Sequence, residues 1–552
     1  MNNQLLTLSL VMAACTSACS PATPELETLV PGSALHSPNG ITFGPDGYLY
    51  AGSVGAQTVF RIDVSNGDVD VVVPAPAGEA DDVAFSPNGT LVWTALVAGE
   101  IRALQPDGSV TTVVSDYALI NPMDFTADGR LFAAQIGFDR LHEFPVDNRL
   151  KLTGEPRLVA SKMGNLNSFE ITADNAMFGP LVNKGEVARI DIETGQITSL
   201  ASDLGTVVAI NLDAAGNIWA IDWVSGDVWM IEHNSTADNW LAPKRIATLQ
   251  PPLDNLAVGL DGMVYVSRPA HSAIDRIDPS TGEHSSLVEG HLAAAGGLAI
   301  TTHNGRETLL VADGYGYRIV DTLTGDVTST FDITSFGFPG AASTAAANDE
   351  FFAFTDLAVR PSVYLVDRET GKTVTKWRTI KSATGILLSA AGDPLIIDYD
   401  SGTLVQLNRS DRKQQQILAS ELNGPAGLAW ANEDQDAVYI AEALTGTILR
   451  VNLDGSQSPA PVITDLNQPE GLTLLNDGRI AVVEVGTKRL LAADPTNATL
   501  EVLATDLPVD HSVANTLGPV YLPSGVVQGS DGTVYISGDR DNSIRMLKNV
   551  KR

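Results

Sequence analysis

The sequence predicts an all-β protein made of two tandem six-bladed β-propellers, each closed by its N-terminal strand. A unit of roughly 42 residues recurs along the chain, and twelve copies can be aligned at spacings of roughly 40 to 54 residues. Each copy contains short β-branched or aromatic segments bounded by Gly, Asn and Asp turns, which is the pattern of a four-stranded propeller blade. Twelve blades fit two closed rings of six better than one ring.

The first copy, residues 38–73, shows how each strand is predicted. An apolar segment is followed by an Asp46-Gly47 turn, a second strand, a third strand and an outer strand of alternating valines, residues 69–73. The twelfth copy lacks its outer strand, because it ends near Leu547.

Two further strands can complete the rings. The sequence favours Leu26–Val30 as the outer strand of blade 6 and Ser285–Glu289 as the outer strand of blade 12. The first propeller would then span residues 26–280 and the second residues 281–552. In the alternative, blade 6 is complete in sequence and the boundary follows Val288.

The first 25 residues predict export. Leu5–Ala14 is an apolar run of signal-peptide length, and the small residues before Cys19 resemble a bacterial lipobox, with Cys15 as a second candidate. We therefore expect a signal peptide over residues 1–19, a tether over 20–25 and a lipid-anchored protein on the periplasmic or outer-membrane face of a bacterial envelope. These are the only two cysteines, so the folded part has no disulfide, thiolate metal site or cysteine nucleophile.

Charge narrows the range of partners. The formal net charge is -32, which disfavours nucleic acid, and no later segment holds 18 continuous apolar residues. We expect a small-molecule substrate and contact with a membrane only through the lipid anchor. The sequence does not set the oligomeric state.

One position differs between the two halves of the chain. It lies two residues before the inner strand of each blade, where the strands open onto one mouth of the channel. In the first propeller it holds Asn39, Asp81, Asn121, Asn167, Val208 and Asp254, and in the second Gly296, Ala341, Thr384, Ala426, Glu470 and Ser524. Turn geometry alone explains a single Asn or Asp, but it would apply equally to both halves. Oxygen ligands suit Ca²⁺, so we expect Asn39, Asp81, Asn121, Asn167 and Asp254 to hold this ion or another divalent cation.

Other polar residues are predicted near the same mouth. Substrate-binding candidates are Arg268, Gln135 and Asn183, and the candidate bases are Asp254, Asp222 and His271. A histidine in a loop is more often an ordinary surface residue. In the second propeller the second strands end in an acid, as at Asp313 and Glu442, and this position resembles the one that holds the following loop in NHL repeats.

Two segments carry a family resemblance. Residues 37–50 (SPNGITFGPDGYLY) and 213–232 (DAAGNIWAIDWVSGDVWMIE) resemble the gluconolactonase/regucalcin-like propellers (SMP-30/LRE-like). The resemblance implies a six-bladed propeller with a divalent cation in the channel that hydrolyses lactones or related esters. Asn121 and Asn167 match two of the family's ligand positions. The family's Glu and Asp are replaced here by Asn39 and Val208, and Asp81, Asp222 and Asp254 are candidates to compensate.

The functional prediction is therefore an exported Ca²⁺-dependent hydrolase of a lactone or ester, with its site in the channel mouth of the first propeller. The ion would polarise the carbonyl. The alternatives are a non-catalytic protein that binds a glycan or protein, and a metal-assisted lyase resembling virginiamycin B lyase. Since propellers host many unrelated activities, the fold does not choose among them.

Overall fold

In the computed structural model the chain forms twelve four-stranded antiparallel sheets. The structure describes residues 26–550 except 238, 304, 333–341, 357–360, 511–522 and 549. The predicted signal peptide, the tether and both cysteines lie outside the described residues. Among the residues described, no helix is long and apolar enough to cross a bilayer.

Blades 1 to 6 form the first propeller. After β1 (Leu26–Val30), their strands, from the inner strand outward, are: blade 1, β2 (Ile41–Phe43), β3 (Leu49–Ser53), β4 (Thr58–Ile62), β5 (Val69–Val73); blade 2, β6 (Ala80–Phe85), β7 (Leu91–Ala95), β8 (Glu100–Leu104), β9 (Val110–Val114); blade 3, β10 (Ile120–Phe125), β11 (Leu131–Gln135), β12 (Arg140–Phe144), β13 (Arg157–Ser161); blade 4, β14 (Glu170–Ile171), β15 (Met177–Leu181), β16 (Glu186–Ile190), β17 (Ile197–Ala201); blade 5, β18 (Val207–Leu212), β19 (Ile218–Asp222), β20 (Asp227–Ile231), β23 (Lys244–Thr248), with the small hairpin β21 (His233–Asn234) and β22 (Asn239–Trp240) inserted before β23; and blade 6, β24 (Leu256–Val258), β25 (Val264–Arg268), β26 (Ala273–Ile277), β27 (His284–Val288).

Blades 7 to 12 form the second propeller. Their strands are: blade 7, β28 (Ala295–His303), β29 (Arg306–Asp313), β30 (Gly316–Asp321), β31 (Val327–Asp332); blade 8, β32 (Ala342–Ala347), β33 (Phe351–Asp356), β34 (Ser362–Asp367), β35 (Thr373–Trp377); blade 9, β36 (Ala383–Leu388), β37 (Pro394–Asp398), β38 (Thr403–Leu407), β39 (Gln415–Ala419); blade 10, β40 (Pro425–Trp430), β41 (Ala437–Glu442), β42 (Thr447–Asn452), β43 (Ala460–Ile463); blade 11, β44 (Pro469–Leu474), β45 (Ile480–Glu484), β46 (Arg489–Ala493), β47 (Leu500–Ala504); and blade 12, β48 (Val526–Gln528), β49 (Val534–Gly538), β50 (Ser543–Leu547) and β1. Three 3₁₀ turns follow second strands, at Val182–Lys184, Pro269–His271 and Val485–Thr487.

The sheets pack face to face around each channel. Consecutive inner strands are in contact, and the contacts return from β24 to β2 in the first propeller and from β48 to β28 in the second. Alternating apolar residues from two neighbouring sheets form each core, as where Trp93 and Ile101 of blade 2 pack with Met123 and Phe144 of blade 3. The all-β propeller prediction is confirmed.

The predicted closure of the rings is wrong. β27 pairs with β26 in blade 6, joining Ile277 to His284, so Ser285–Glu289 does not complete blade 12. β1 instead pairs with β50 in blade 12, joining Leu26 to Leu547. The predicted boundary between the two propellers at residues 280 and 281 is wrong for the same reason. The alternative, in which blade 6 is complete in sequence, is correct.

The local hairpin explains this outcome. β26 and β27 are joined by a tight turn in which the Asp278 amide donates to the Glu283 carbonyl at 2.9 Å, and Gly282 takes a φ of +76°. Closing this short loop costs far less conformational entropy than recruiting a strand from the start of the chain. Among the described strands none follows β50 in blade 12, and β1 occupies the outer position there.

This topology predicts which ring each closing strand supports. Val30 on β1 is fully buried, and Val288 on β27 is 6% exposed. We expect Val30→Asp to destabilise the second propeller by about 3 kcal/mol, because it buries an unpaired charge there. Hydrogen exchange should accelerate in the peptide that contains β50. Val288→Asp is the matched control and should accelerate exchange in β26 instead. Faster exchange in β26 with unchanged exchange in β50 on changing Val30 would contradict the pairing.

Candidate functional site

Three of the predicted mouth residues lie near one another in the first propeller. Asn39 of blade 1 and Asp254 of blade 6 are side by side, with Asn39 Nδ2 at 3.4 Å from Asp254 Oδ2. Asp81 of blade 2 is 9% exposed and accepts no hydrogen bond from the described residues. Its pKa is raised well above the usual value, first by burial and then by the charges of Asp254 and Asp82. Asp81 and Asp254 therefore interact across the opening although blade 1 stands between them.

The two predicted amides of blades 3 and 4 differ in their bonding. Asn121 is 6% exposed, and its Oδ1 is buried without a hydrogen-bond partner. Asn167 donates from Nδ2 to the Val208 carbonyl at 3.3 Å, so its amide ties blade 4 to blade 5. An orphaned buried carbonyl oxygen is costly unless something binds it, and this is the observation at the mouth that favours a cation.

Asn39 has a different role from the one predicted. Its Oδ1 accepts the Val54 amide at 3.2 Å, while its Nδ2 faces Asp254. In this orientation the side chain holds the Asp254 carboxylate in place and does not offer its own oxygen to an ion. No three acidic, histidine or cysteine side chains in the described part of the chain are grouped closely enough to hold one metal. A cation at this mouth would thus rest on two carboxylates, amide oxygens and water.

A second set of polar residues lies deeper in the same channel. Asp82 of blade 2 accepts the Met123 amide of blade 3 at 2.9 Å. Asp124 of blade 3 accepts the Ile171 amide of blade 4 at 2.7 Å. These bonds satisfy N–H groups on the inner edge of the next sheet, which has no further strand to pair with.

Blades 4 to 6 continue this arrangement with an amide. Asn211 of blade 5 accepts the Val258 amide of blade 6 at 3.0 Å, and its Nδ2 donates to the Glu170 carboxylate of blade 4. We call Asp82, Asp124, Glu170 and Asn211 the channel girdle. Asn211 shows that a neutral side chain can cap an inner-edge amide, so the capping bond alone does not account for acids at Asp82 and Asp124.

The acids of the girdle repel one another. Burial is the largest cause that raises the pKa of Asp82 and of Asp124 to about 7, and neighbouring carboxylates add to it. The pKa of Glu170 is raised well above its usual value by burial and by the charges of Asp124 and Asp82. The girdle acids are half-buried, and none forms an ion pair with a described residue. The channel therefore concentrates acidic groups that no cationic side chain of the described residues neutralises.

Sequence reasoning missed the girdle, although a signal was present. Asp124, Glu170 and Asn211 each stand three residues after the mouth position of their blade. In the second propeller the same position holds Ala299, Thr344, Leu387, Ala429, Thr473 and Val527. Comparing the halves at this second position would have identified three of the four residues, whereas Asp82, which stands one residue after Asp81, would have been missed.

Contrary to the prediction, Asp222 does not reach the channel. Its carboxylate accepts the Val224 amide at 2.8 Å and the Ser225 hydroxyl at 2.8 Å, which fixes the turn after β19. A carboxylate occupied by its own turn is not positioned as a base. In the second propeller Glu442 is likewise bound by loops of its own blade, accepting the Asn423 amide at 2.7 Å and the Thr445 hydroxyl at 2.8 Å.

Arg268 and His271 also lie away from the channel. Arg268 ends β25 and pairs with Asp275 on β26, with Nε 2.8 Å from Oδ2. His271 is buried in the 3₁₀ turn that follows, and burial, followed by Arg318 and Arg268, lowers its pKa to about 2. Both face the second propeller. The prediction failed because the sequence shows where a strand ends but not whether its last side chain points inward or outward.

The remaining substrate-binding candidates have structural or solvent positions. Gln135 donates from Nε2 to the Ala118 carbonyl at 3.0 Å, which closes its own loop. Asn183 is exposed in the 3₁₀ turn after β15. Neither contacts the mouth residues.

The second channel has a mostly uncharged lining among the residues described. It holds a cavity of about 750 Å³, lined mainly by small and apolar residues of the inner strands, such as Gly297, Leu298 and Gly427. Its buried acid at the mouth position is Glu470, which accepts the Ser524 amide at 2.9 Å and whose pKa burial raises to about 7. Among the residues described, Glu470 is the one buried acid at the mouth positions of the second channel, whereas the first channel has several acids.

Comparison with known proteins places the family likeness mainly in the second propeller. Residues 270–519 match the family described as SMP-30/Gluconolactonase/LRE-like region. The resemblance to this superfamily is confirmed. It covers the end of blade 6 and most of the second propeller, whereas the site resemblance read from the sequence lay in the first. No curated protein matches the chain.

Solved structures give more distant likenesses. A streptogramin B lyase is 17% identical over 52% of this chain and 95% of that chain, with a TM-score of 0.37. Virginiamycin B lyase from Staphylococcus aureus is also 17% identical, over 52% of this chain and 96% of that chain, with a TM-score of 0.37. The extracellular domain of a putative one-component system from B. thetaiotaomicron is 12% identical over 94% of this chain and 82% of that chain, with a TM-score of 0.31.

The raised pKa values predict how stability depends on pH in the absence of a cation. An acid whose folded pKa exceeds its unfolded pKa contributes stability that is complete below the unfolded value, near 4, and is lost as pH rises through the folded value, about 7 for Asp124. With chelator present, the free energy of unfolding should therefore fall from pH 5 to pH 8. Asp124→Asn should raise the free energy of unfolding at pH 8 by on the order of 2 kcal/mol, because the side chain at this half-buried position can no longer ionise.

Urea denaturation at pH 5 and pH 8 measures this effect. Asp116→Asn, on the exposed segment between β9 and β10, is the control and should leave the pH dependence unchanged. An equal loss of stability in wild type and Asp124→Asn would show that the girdle acids do not repel one another.

Proposed function

We propose that the first propeller binds a divalent cation, with Ca²⁺ as the best match, at its channel mouth and hydrolyses a lactone or ester there. The observation that carries the proposal is the approach of Asp81 and Asp254 across the mouth without an ion-pair partner among the described residues. Hard cations favour carboxylate and amide oxygens. The orphaned Oδ1 of Asn121 adds a neutral ligand of the same kind.

Each residue at this mouth would have a distinct role. Asp81 and Asp254 would hold the ion, Asn121 and Asn167 would offer amide oxygens, and Asn39 would keep Asp254 oriented through its 3.4 Å contact. A bound divalent cation polarises a carbonyl oxygen and lowers the pKa of water. Of the three bases predicted from the sequence, Asp254 alone lies at the mouth.

The girdle supports this role through charge. Asp82 interacts electrostatically with Asp254, and the three girdle acids interact with one another. Negative charge focused in a narrow channel raises the local cation concentration. It also makes the channel unattractive to anionic substrates, so a neutral lactone or ester is the substrate class that fits.

Calcium binding tests the first half of the proposal. In chelator-treated wild type, Ca²⁺ at a hundred times its dissociation constant should stabilise the fold by about 2.7 kcal/mol. Asp81→Asn combined with Asp254→Asn should weaken binding by about tenfold or more, because two ligand charges are removed. Calorimetric titration and thermal unfolding measure both quantities. Glu470→Gln is the matched control, since it neutralises the mouth acid of the second propeller.

Turnover tests the second half. Hydrolysis of a panel of neutral lactones and aryl esters should disappear with chelator, return with Ca²⁺ and be absent in the Asp81/Asp254 double variant. Calcium binding without turnover would leave a non-catalytic binding protein, and an elimination product would identify a lyase. Absence of any calcium effect on stability would reject the site itself.

We also propose that the protein is anchored in a bacterial envelope through Cys19 or Cys15. The apolar segment and the small residues before these cysteines support this. In a bacterial host, labelled palmitate should be incorporated by wild type and lost when both cysteines are changed to alanine. Retention of the label in the double variant would reject lipidation at these positions.

A further inference from the structure

A second polar cavity lies at the junction of the two propellers, away from both channels. Its volume is about 220 Å³. Blade 6 contributes Arg268, His271 and Ser286 to the lining, and blade 7 contributes Arg318 and Val327. Its lining thus comes from both rings.

The two arginines are held rigidly at this cavity. Arg268 donates from Nη2 to Asp275 Oδ1 at 3.1 Å, and its Nε lies 2.8 Å from Oδ2, which leaves Nη1 without a partner in the described part of the structure. Arg318 is 2% exposed, pairs with Asp313 at 2.8 Å and donates to the Ala270 carbonyl of blade 6. Their positions are therefore set before any ligand arrives.

His271 supplies an unused polar atom between them. It is 6% exposed, and its Nδ1 is buried without a hydrogen-bond partner. Burial and the two arginines keep the ring uncharged at neutral pH. A buried ring nitrogen without a partner costs stability, and the His271 side chain also lines the cavity.

The chemistry of the lining favours an anion. Arg268, Arg318 and His271 carry hydrogen-bond donors, and the nearby carboxylates of Asp275 and Asp313 are already paired. The Ser286 hydroxyl donates to Asp275 Oδ1 at 2.8 Å. Glu289 also lines the cavity, but its side chain is 78% exposed to solvent and its carboxylate is 4.0 Å from His291. Guanidinium groups match the planar or tetrahedral oxygens of carboxylates and phosphates.

We propose that this cavity binds a small oxyanion, the phosphate, sulfate or carboxylate group of a solute, between Arg268, Arg318 and His271. Because Arg268 and His271 belong to blade 6 and Arg318 to blade 7, the anion bridges the two propellers. A ligand that binds only the assembled junction stabilises it by mass action. This site is independent of the calcium mouth.

Thermal unfolding of the full chain with inorganic phosphate, sulfate and acetate tests the site, with ionic strength held constant by chloride. At millimolar concentration at least one of the three should raise the unfolding temperature of wild type above the chloride reference. His271→Leu should abolish that shift while leaving the unfolding temperature without anion unchanged or higher, because it removes an unsatisfied buried nitrogen. His142→Leu is the matched control, since His142 is also buried with an unpartnered Nδ1 but lies on β12 of blade 3. It should keep the full anion response.

A second variant guards against an indirect effect of His271. Arg268→Met combined with Asp275→Leu removes a buried ion pair as a unit, which avoids leaving one charge uncompensated. It should also lose the anion response. An anion shift that persists in His271→Leu, or the absence of any shift in wild type, would overturn the proposal. Calcium titration of the same variants should be normal, so failure here is distinguishable from failure of the calcium site.

Discussion

The inner edge of each blade imposes the constraint on which the first channel depends. The innermost strand has no neighbour on its channel side, so the backbone amides that face the channel need hydrogen-bond partners from outside their own sheet. In blades 3, 4 and 6 the partner is a side chain of the preceding blade, namely Asp82, Asp124 and Asn211. These bonds link consecutive sheets around the ring, and they also bring carboxylates into one narrow space. The architecture of the ring and the charge of its channel therefore share a cause.

Comparing the two rings shows which channel residues the fold requires and which it does not. The second propeller forms its ring with Ala, Thr, Leu or Val three residues after each mouth position, so a ring of this kind does not need acids at that position. Asn211 further shows that an amide suffices for the capping bond. The cost of burying like charges in the first channel is thus not demanded by architecture. The proposed cation would account for it, since one divalent ion would offset the burial and the repulsion that raise the pKa values of these acids.

Much of the fold could be predicted from the sequence because blade periodicity is encoded locally in strand length and turn residues. The repeat located the twelve sheets and the Asp81–Asp254 mouth. Closure could not be predicted, because an orphan strand such as Leu26–Val30 is compatible with either ring, and only pairing with Ser543–Leu547 decides between them. Side-chain direction was equally hidden. Arg268, Asp222 and Gln135 end second strands as predicted, yet each points toward its own blade and bonds there.

The observed closure changes how the two rings are related. Because β1 belongs to blade 12 and the chain then enters blade 1, the first propeller is inserted between the first strand and the remainder of the second. Two chain crossings join the rings, one before Ser37 and one after Val288. Buried hydrogen bonds join the first crossing and blade 12 to the same turn of blade 6: the Ser37 amide donates to Ser272 Oγ at 3.0 Å, and Asn542 Nδ2 donates to the same oxygen at 3.1 Å. A residue of blade 12 thereby contacts the turn of blade 6 that carries His271. Loosening of β1 would remove support from this junction as well as from the second ring, so the two propellers are expected to share part of their stability rather than unfold as independent domains.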